Sequence, residues 1–457
     1  MVFLLFLGCA SGGRLLSSGS YEAGSVAKKV VLPAKLTLDM AEKIAMENAP
    51  SVLRARFGLE RARGGLKEAR SSMFPTISAT YGYWQRDPRQ GIKVDMSQFG
   101  VPNMGQFGAP GTMKMYMGER GYAFFRAEGS MALWTFGARR SAIRAAEADV
   151  AAAGFDEEAA KREAVRNVRK AFFGALMAQE AVQVAQKAVQ ALRERLCQVR
   201  ALYEAGVATE YDLRSTESAL ADAESGLTKA REGARVAKVA LAAAMGLPPG
   251  EFTLVMPTFS PPESLNAEEL ATQAFTSNPT LAAMTRRLLA LKHRRNAVYA
   301  SFFPQLVVTG GYNWADDDTL IDKGYGEVRV MLTWEMFAGG RTAAQLRQMD
   351  AAIGEMRQAI REARNGVRLG VYDACSRYMS ARKELEAARE GLQKAELALR
   401  QREAEFEEGV ATGADVVAAE VGVSQARLRL IKARLAMAEA LADLEALVGR
   451  TIWRISN

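Results

Sequence analysis

The chain has 457 residues, a quarter of them charged, with a formal charge of +8 and a pI near 9.3; its basic residues are interleaved with acids, so the excess reads as solvated surface rather than a nucleic-acid groove. A single histidine, His293, and three cysteines (Cys9, Cys197, Cys375) without CxxC spacing argue against a catalytic triad, a histidine metal cage and a disulfide framework. No catalytic residue, cofactor or metal is expected.

Val2–Leu7 is an apolar run followed by Gly8, Cys9 and Ala10, which reads as the end of a signal peptide, too short for a transmembrane helix. Leu7-Gly8-Cys9 also has the form of a lipobox, in which Cys9 is acylated. Cleavage, lipidation and a Cys9 without a role all stay open. Residues 1–32 are taken as leader and flexible linker.

From there the chain reads as a tandem duplication, with a first repeat over 33–262 and a second over 263–457. Pro50, Phe74, Pro75, Gly82 and Tyr83 recur as Pro279, Phe303, Pro304, Gly311 and Tyr312, all at an offset of 229 (304 − 75). Gly206, Val207, Ala208, Thr209 and Asp212 recur as Gly409, Val410, Ala411, Thr412 and Asp415 at an offset of 203 (409 − 206). Each repeat opens with a short helix, Leu38–Asn48 or Ala267–Ser277, capped by Thr37 or Asn266; Glu269 completes a capping-box spacing. A proline then starts the next helix, and Phe-Pro ends it.

Period-two alternation follows. Ile77, Ala79, Tyr81 and Tyr83 oppose Thr76, Ser78, Thr80 and Gly82 over 76–85; a strand at about 122–135 returns. The second repeat has strands at about 305–314 and 326–336. Apolar on one face and polar or charged on the other, these strands fit the wall of a transmembrane β-barrel or a soluble sheet with one wet face. Four strands cannot close around a lumen, so a barrel must be shared between subunits. The link from Gln85 to Gly121 carries Met113, Met115 and Met117, whose thioethers suggest Cu(I) export but whose spacing more simply makes one apolar strand face.

All 13 prolines lie outside Ala138–Leu247 and Ala338–Asn457. These stretches, as helical hairpins over 138–246 and 338–449, turn at Gly206 and Gly409, after which Thr209 and Thr412 can cap the return arms. In Phe337–Glu408 apolar residues recur in heptads, Leu346 through Ala395 and Met349 through Phe406, with a one-residue slip near Gly370. A helix of that length spans about 100 Å and needs other long helices beside it.

The duplication, the Asn-Ala-Pro and Ser-Asn-Pro breaks, the paired Phe-Pro, the Leu-Trp/Thr-Trp ahead of each long helix and the twin Gly-Val-Ala-Thr tips together resemble the TolC-like outer-membrane efflux and secretion proteins, from about Leu36 to Arg450. The resemblance implies a mainly α protein with a membrane β-barrel. Three protomers share twelve strands above a periplasmic α-helical tunnel, in the outer membrane of a Gram-negative bacterium and in contact with its lipid. It implies a passive exit duct, not an enzyme, fed by a periplasmic adaptor and an inner-membrane transporter. The docking turns become Gly206, Val207, Ala208, Thr209, Gly409, Val410, Ala411 and Thr412. Asp212 and Asp415 fall at the family's periplasmic aperture, although a solvated aspartate favoured by the helix dipole accounts for them equally. Ala418 stands where some relatives have a further aspartate and Ala411 where they have a latch residue, which argues against a two-ring acidic gate. A soluble coiled-coil scaffold or nucleic-acid-binding rod is the competing reading; it leaves the duplicated strands unexplained, and nucleic acid is not expected as a partner.

Overall fold

The computed structural model describes residues 35–87, 91–95, 112–116, 120–256, 258–260, 262, 264–318, 320–408, 410–449 and 454–456. The leader with Cys9, Met117 and Gly409 lie outside the described residues. In chain order the elements are Lys35–Leu36 (β1), Leu38–Asn48 (α1), Pro50–Ser71 (α2), Thr76–Gln85 (β2), Gly91–Asp95 (β3), Thr112–Tyr116 (β4), Gly121–Trp134 (β5), Ala138–Glu204 (α3), Glu210–Ala244 (α4), Thr253–Leu254 (β6), Thr258–Ser260 (β7), Ala267–Ser277 (α5), Pro279–Tyr299 (α6), Gln305–Ala315 (β8), Gly324–Thr333 (β9), Arg341–Glu407 (α7), Gly413–Val448 (α8) and Arg454–Ser456 (β10). They fall into two compact units, one of residues 1–57, 156–279 and 364–457, the other of 58–155 and 280–363. Each unit draws on both halves of the sequence.

The first unit is helical, edged by the parallel pair β1–β6 and the antiparallel pair β7–β10. Thr37 Oγ1 accepts the amide of Met40 at the start of α1, and Asn266 Oδ1 accepts those of Glu268 and Glu269 at the start of α5. The carboxylate of Glu269 takes a bond from Gln273, so only the Asn266 half of the expected capping box is made. Ala49 and Asn278, each ahead of a proline, have left the helical region at ψ 132 and 116, as the proline ring demands. Gly246 closes α4 at φ +75 against the first of these breaks. A Cβ there would meet Asn48 O at 2.2 Å, so only glycine fits.

The heptads of α7 are deeply buried along one stretch. Val371, Ala374, Tyr378, Ala381, Leu385 and Ala388 alternate three and four apart and are all buried; Gly370, where the pattern slips, faces Leu447 of α8. Tyr378 is enclosed, and its hydroxyl donates to Pro262 O, the partner that a buried phenol needs. Beside this core lies a cluster of buried charges. The Arg169 guanidinium bridges Glu42 of α1 and Glu445 of α8, and Asp443 receives Lys170 at 2.5 Å and Arg377 at 3.0 Å. Four helices, α1, α3, α7 and α8, are thus tied by side chains far apart in sequence.

The second unit holds an antiparallel sheet of order β2-β5-β8-β9. Register puts Ile77, Ala79, Tyr81, Tyr83, Phe125, Ala127, Val308, Tyr312, Val328 and Val330 on one face, with Thr76, Ser78, Thr80, Arg126, Glu128, Thr309, Asn313, Glu327 and Arg329 on the other. The polar face is cross-linked. Arg126 Nε donates to Asn313 Oδ1 at 2.8 Å, Asn313 donates to Glu327 at 3.3 Å, and Arg329 grips the same carboxylate. Tyr83 lies over Gly121 and Tyr312 over Gly324, each phenol oxygen within 2.1 Å of where a Cβ would stand.

β9 stops at Thr333 instead of continuing to about 336. Trp334 leaves the ladder and donates its indole N–H to Phe302 O at 3.0 Å, and Gly339 and Gly340, both at positive φ, turn the chain into α7. In the first half Phe136 makes the corresponding corner at φ 48, a costly angle for a bulky residue, while its ring stacks on Phe303 at 4.9 Å. A separate hairpin, β3–β4, sets Met113 opposite Val94 and Met115 opposite Ile92.

Truncating one member of a buried charge cluster strands the others, at a cost of about 3–5 kcal/mol. Arg169→Ala should lower the denaturation midpoint in detergent by a corresponding margin, whereas Arg70→Ala, which breaks an exposed pair with Glu147, should change stability by less than about 1 kcal/mol.

Candidate functional site: the hairpin tips

Both hairpins turn in the same way. The amides of Val207 and Ala208 bond to Leu202 O at 2.8 and 3.1 Å, and those of Val410 and Ala411 to Glu405 O at 2.8 and 3.1 Å. Gly206 sits at φ +76, the left-handed conformation that ends a helix and that a Cβ disfavours. Val207 is 74% exposed and Val410 76%, so each turn presents an apolar side chain to solvent. Tyr211, also exposed, has Ala414 as its counterpart, so the first tip carries an aromatic that the second lacks.

Thr209 and Thr412 start the return arms with complete, reciprocal capping boxes. Asp212 N donates to Thr209 Oγ1 at 3.2 Å, and Asp212 Oδ2 accepts the Thr209 amide at 3.1 Å and its hydroxyl at 2.6 Å. The second box has 3.3, 2.9 and 2.8 Å for the same bonds between Thr412 and Asp415. Both aspartates therefore hold the third helical position, where the dipole favours an anion. Their surroundings differ. Asp212 is 7% exposed, with Thr216 bonding its carbonyl, whereas Asp415 is open to solvent. The Thr412 amide and hydroxyl, with Arg402 farther off, hold the Asp415 carboxyl below its ordinary range.

One contact here was not legible in the sequence. Arg195 of α3 and Glu420 of α8 meet at 3.5 Å with both side chains nearly buried, and the Arg195 guanidinium lies 5.2 Å from the Phe406 ring centroid. Burial pushes the Glu420 carboxyl up, and Arg195 opposes that shift. Gly413, the first residue of α8, lies against Val199 of α3. The second tip is thus seated on the first hairpin. Partners 225 positions apart (420 − 195) leave no periodic signal, and only the presence of Arg and Glu on otherwise apolar faces hinted at a pair.

Replacing a capping threonine by alanine costs about 1 kcal/mol. Thr209→Ala and Thr412→Ala should each speed amide exchange in the first turn of α4 or α8 roughly fivefold without loosening the opposite hairpin. Gly206→Val, forced to positive φ, should cost about 1 kcal/mol or more. Site-resolved hydrogen exchange reads all three.

Comparison with known proteins bears on what such an arrangement serves. Residues 43–247 and 270–450 match the family described as outer membrane efflux protein. The outer membrane efflux protein BepC of Brucella suis biovar 1 (strain 1330) is 24% identical over 200 residues, 43% of this chain and 43% of that protein; the match therefore spans less than half the length of this curated relative. In fold, the outer membrane protein VceC of Vibrio cholerae has a TM-score of 0.72 at 18% identity, with 91% of this chain and 96% of that one covered. The Campylobacter jejuni CmeC outer membrane channel has a TM-score of 0.74 at 16% identity, covering 90% and 85%. Helical hairpins, the strand pair in each half and a family match over both halves lead to one assignment: the chain belongs to the outer membrane efflux protein family.

Proposed function

We propose that the protein is a passive exit duct of the outer membrane, through which substrates delivered by a periplasmic adaptor and an inner-membrane transporter leave a Gram-negative cell. The observation that carries this reading is the sheet of the second unit. One face is apolar and aromatic, the other holds Arg126, Glu128, Glu327 and Arg329, and β2 and β9 have no second partner among the described residues. That is the pattern of a barrel wall with lipid outside and water within. Three copies of a duplicated unit, the first over 33–262 and the second over 263–457, supply twelve strands and continue as a helical tunnel. No described helix is long and apolar enough to cross a membrane. The soluble scaffold and nucleic-acid rod give this sheet no role.

In this reading the turns at Gly206–Thr209 and Gly409–Thr412 dock the adaptor, with Val207, Val410 and Tyr211 as the apolar contacts. Asp212 and Asp415 sit at the periplasmic aperture, and Asp415, the exposed one, contributes most of its field. Cys9 is the lipid attachment point if the leader is processed as a lipoprotein.

Mass measurement of the purified protein in detergent should give three chains, and a stable monomer would sink the duct. In planar bilayers, Asp415→Asn should raise conductance for anions relative to cations and blunt block by divalent cations, with Asp212→Asn having the smaller effect. Unchanged selectivity and block in the double variant would reduce both residues to helix caps.

A further inference from the structure

Among the described residues nothing pairs with the two edges of the sheet, and the apolar side chains there are highly exposed: Ile77 of β2 is 81% exposed and Val328 of β9 77%. Unpaired strand edges seek a partner in water and need one in lipid. The chain's own symmetry says which partner, and in what register.

Tyr83 of β2 lies opposite Ala123 of β5, and Tyr312 of β8 lies opposite Gly326 of β9. The two outer seams therefore superpose when the first strand is moved 229 positions (312 − 83) and the second 203 (326 − 123). The middle seam, β5–β8, is then a template for a seam between β9 and the β2 of another copy. There Arg126 faces Asn313 and Ala127 faces Tyr312. The same shifts set Arg329 (126 + 203) opposite Trp84 (313 − 229), and Val330 (127 + 203) opposite Tyr83 (312 − 229). Phe124–Ala315 and Phe125–Trp314 become Glu327–Arg86 and Val328–Gln85.

The chemistry of these pairs was not used to derive them, and it agrees. Glu327 meets Arg86, opposite in charge. Arg329 meets the indole of Trp84, over which Arg86 already rests at 5.3 Å within the chain. Val330 meets Tyr83 and Leu332 meets Tyr81 on the apolar face, the cross-strand combination that stabilises sheets. A slip of one residue inverts every side chain. A slip of two sets Arg329 opposite Gly82 and leaves Arg86 without an acid across the seam. Strand direction also permits the joint: in an antiparallel four-stranded sheet β2 and β9 run oppositely, so they pair antiparallel between copies. Because the two edges differ, the contact is head-to-tail, the kind that a ring of copies requires.

We propose that β9 of one copy pairs with β2 of the next in the register Val330 opposite Tyr83, with Glu327–Arg86 and Arg329–Trp84 as the contacts on the polar face. This rests on the shared barrel proposed above and adds the residues at its subunit seam.

Cysteine cross-linking in outer membranes tests it, in full-length protein lacking Cys197 and Cys375, with single-cysteine variants as controls for Cys9. Paired strand residues lie within disulfide reach. Val330→Cys with Tyr83→Cys, and Val328→Cys with Gln85→Cys, which leaves Tyr83 in place, should both give covalent three-chain species under mild oxidation. Val330→Cys with Tyr81→Cys or with Gln85→Cys should give at least tenfold less. A slipped pair that links better, or no cross-link in protein that still runs as a trimer by mass, overturns the register. A monomer by mass overturns the shared barrel itself. As a second measurement, Glu327→Arg should lower the temperature at which the trimer dissociates and Arg86→Glu added to it should restore at least half the loss; a double variant no better than the single overturns the Arg86–Glu327 contact.

Discussion

A β-strand must spend its backbone hydrogen bonds somewhere, and this constraint shapes the second unit. Among the described residues four strands satisfy one another internally and leave two rows of donors and acceptors at β2 and β9. Neither water alone nor lipid deals well with such edges beside large exposed aromatics. The side chains are divided accordingly. The apolar face can be handed to a hydrocarbon environment, and the opposite face keeps its charges in mutual contact through Arg126, Asn313, Glu327 and Arg329. Two tyrosines laid over glycines, at Gly121 and Gly324, hold paired strands in register at the end of the sheet away from the helices.

The first unit solves a different problem. Long helices with alanine-rich seams gain little burial per residue, and many of the residues along α7 are small: Ala374, Ala381 and Ala388. The buried ion cluster around Asp443, Glu445 and Arg169 ties four helices beside the large buried side chains Phe172, Phe173, Tyr378, Leu441 and Leu444. Buried ion pairs add less to stability than to choice of arrangement in some proteins. Here the pairs join one turn of α3, at Arg169 and Lys170, to one turn of α8, at Asp443 and Glu445. Toward the tips the same task falls to a single pair, Arg195 and Glu420.

Much of this was readable from the chain. Proline marks the breaks at Pro50 and Pro279 because its ring forbids helix in the residue before it, and alternation from Ile77 to Tyr83 marks a strand because side chains switch faces at every residue. Heptads announced α7 and even its slip near Gly370. What escaped was set by tertiary contact. The end of β9 depends on where the Trp334 indole finds a carbonyl, and the register shift of β5 on β8 between Ala132 and Trp134 lies beyond the last pair of β5 with β2, Thr76 and Ser130. The tip aspartates were placed correctly in the helical first turn, but their unequal burial has no counterpart in the matching sequence of the two turns. The Arg195–Glu420 pair and the ion cluster join residues whose proximity no local pattern encodes.

The two capping boxes share their bonds but not their exposure, and that breaks an equivalence the duplicated sequence suggests. Asp415 titrates in contact with water, and its depressed pKa means that the stability it lends α8 is present above the unfolded carboxylate's pKa and is lost as pH falls through the folded value. Asp212 makes the same bonds inside the packing. Two turns that the sequence writes alike thus differ in setting: the start of α8 hangs on a carboxylate that water reaches, and it would loosen as the medium turns acid.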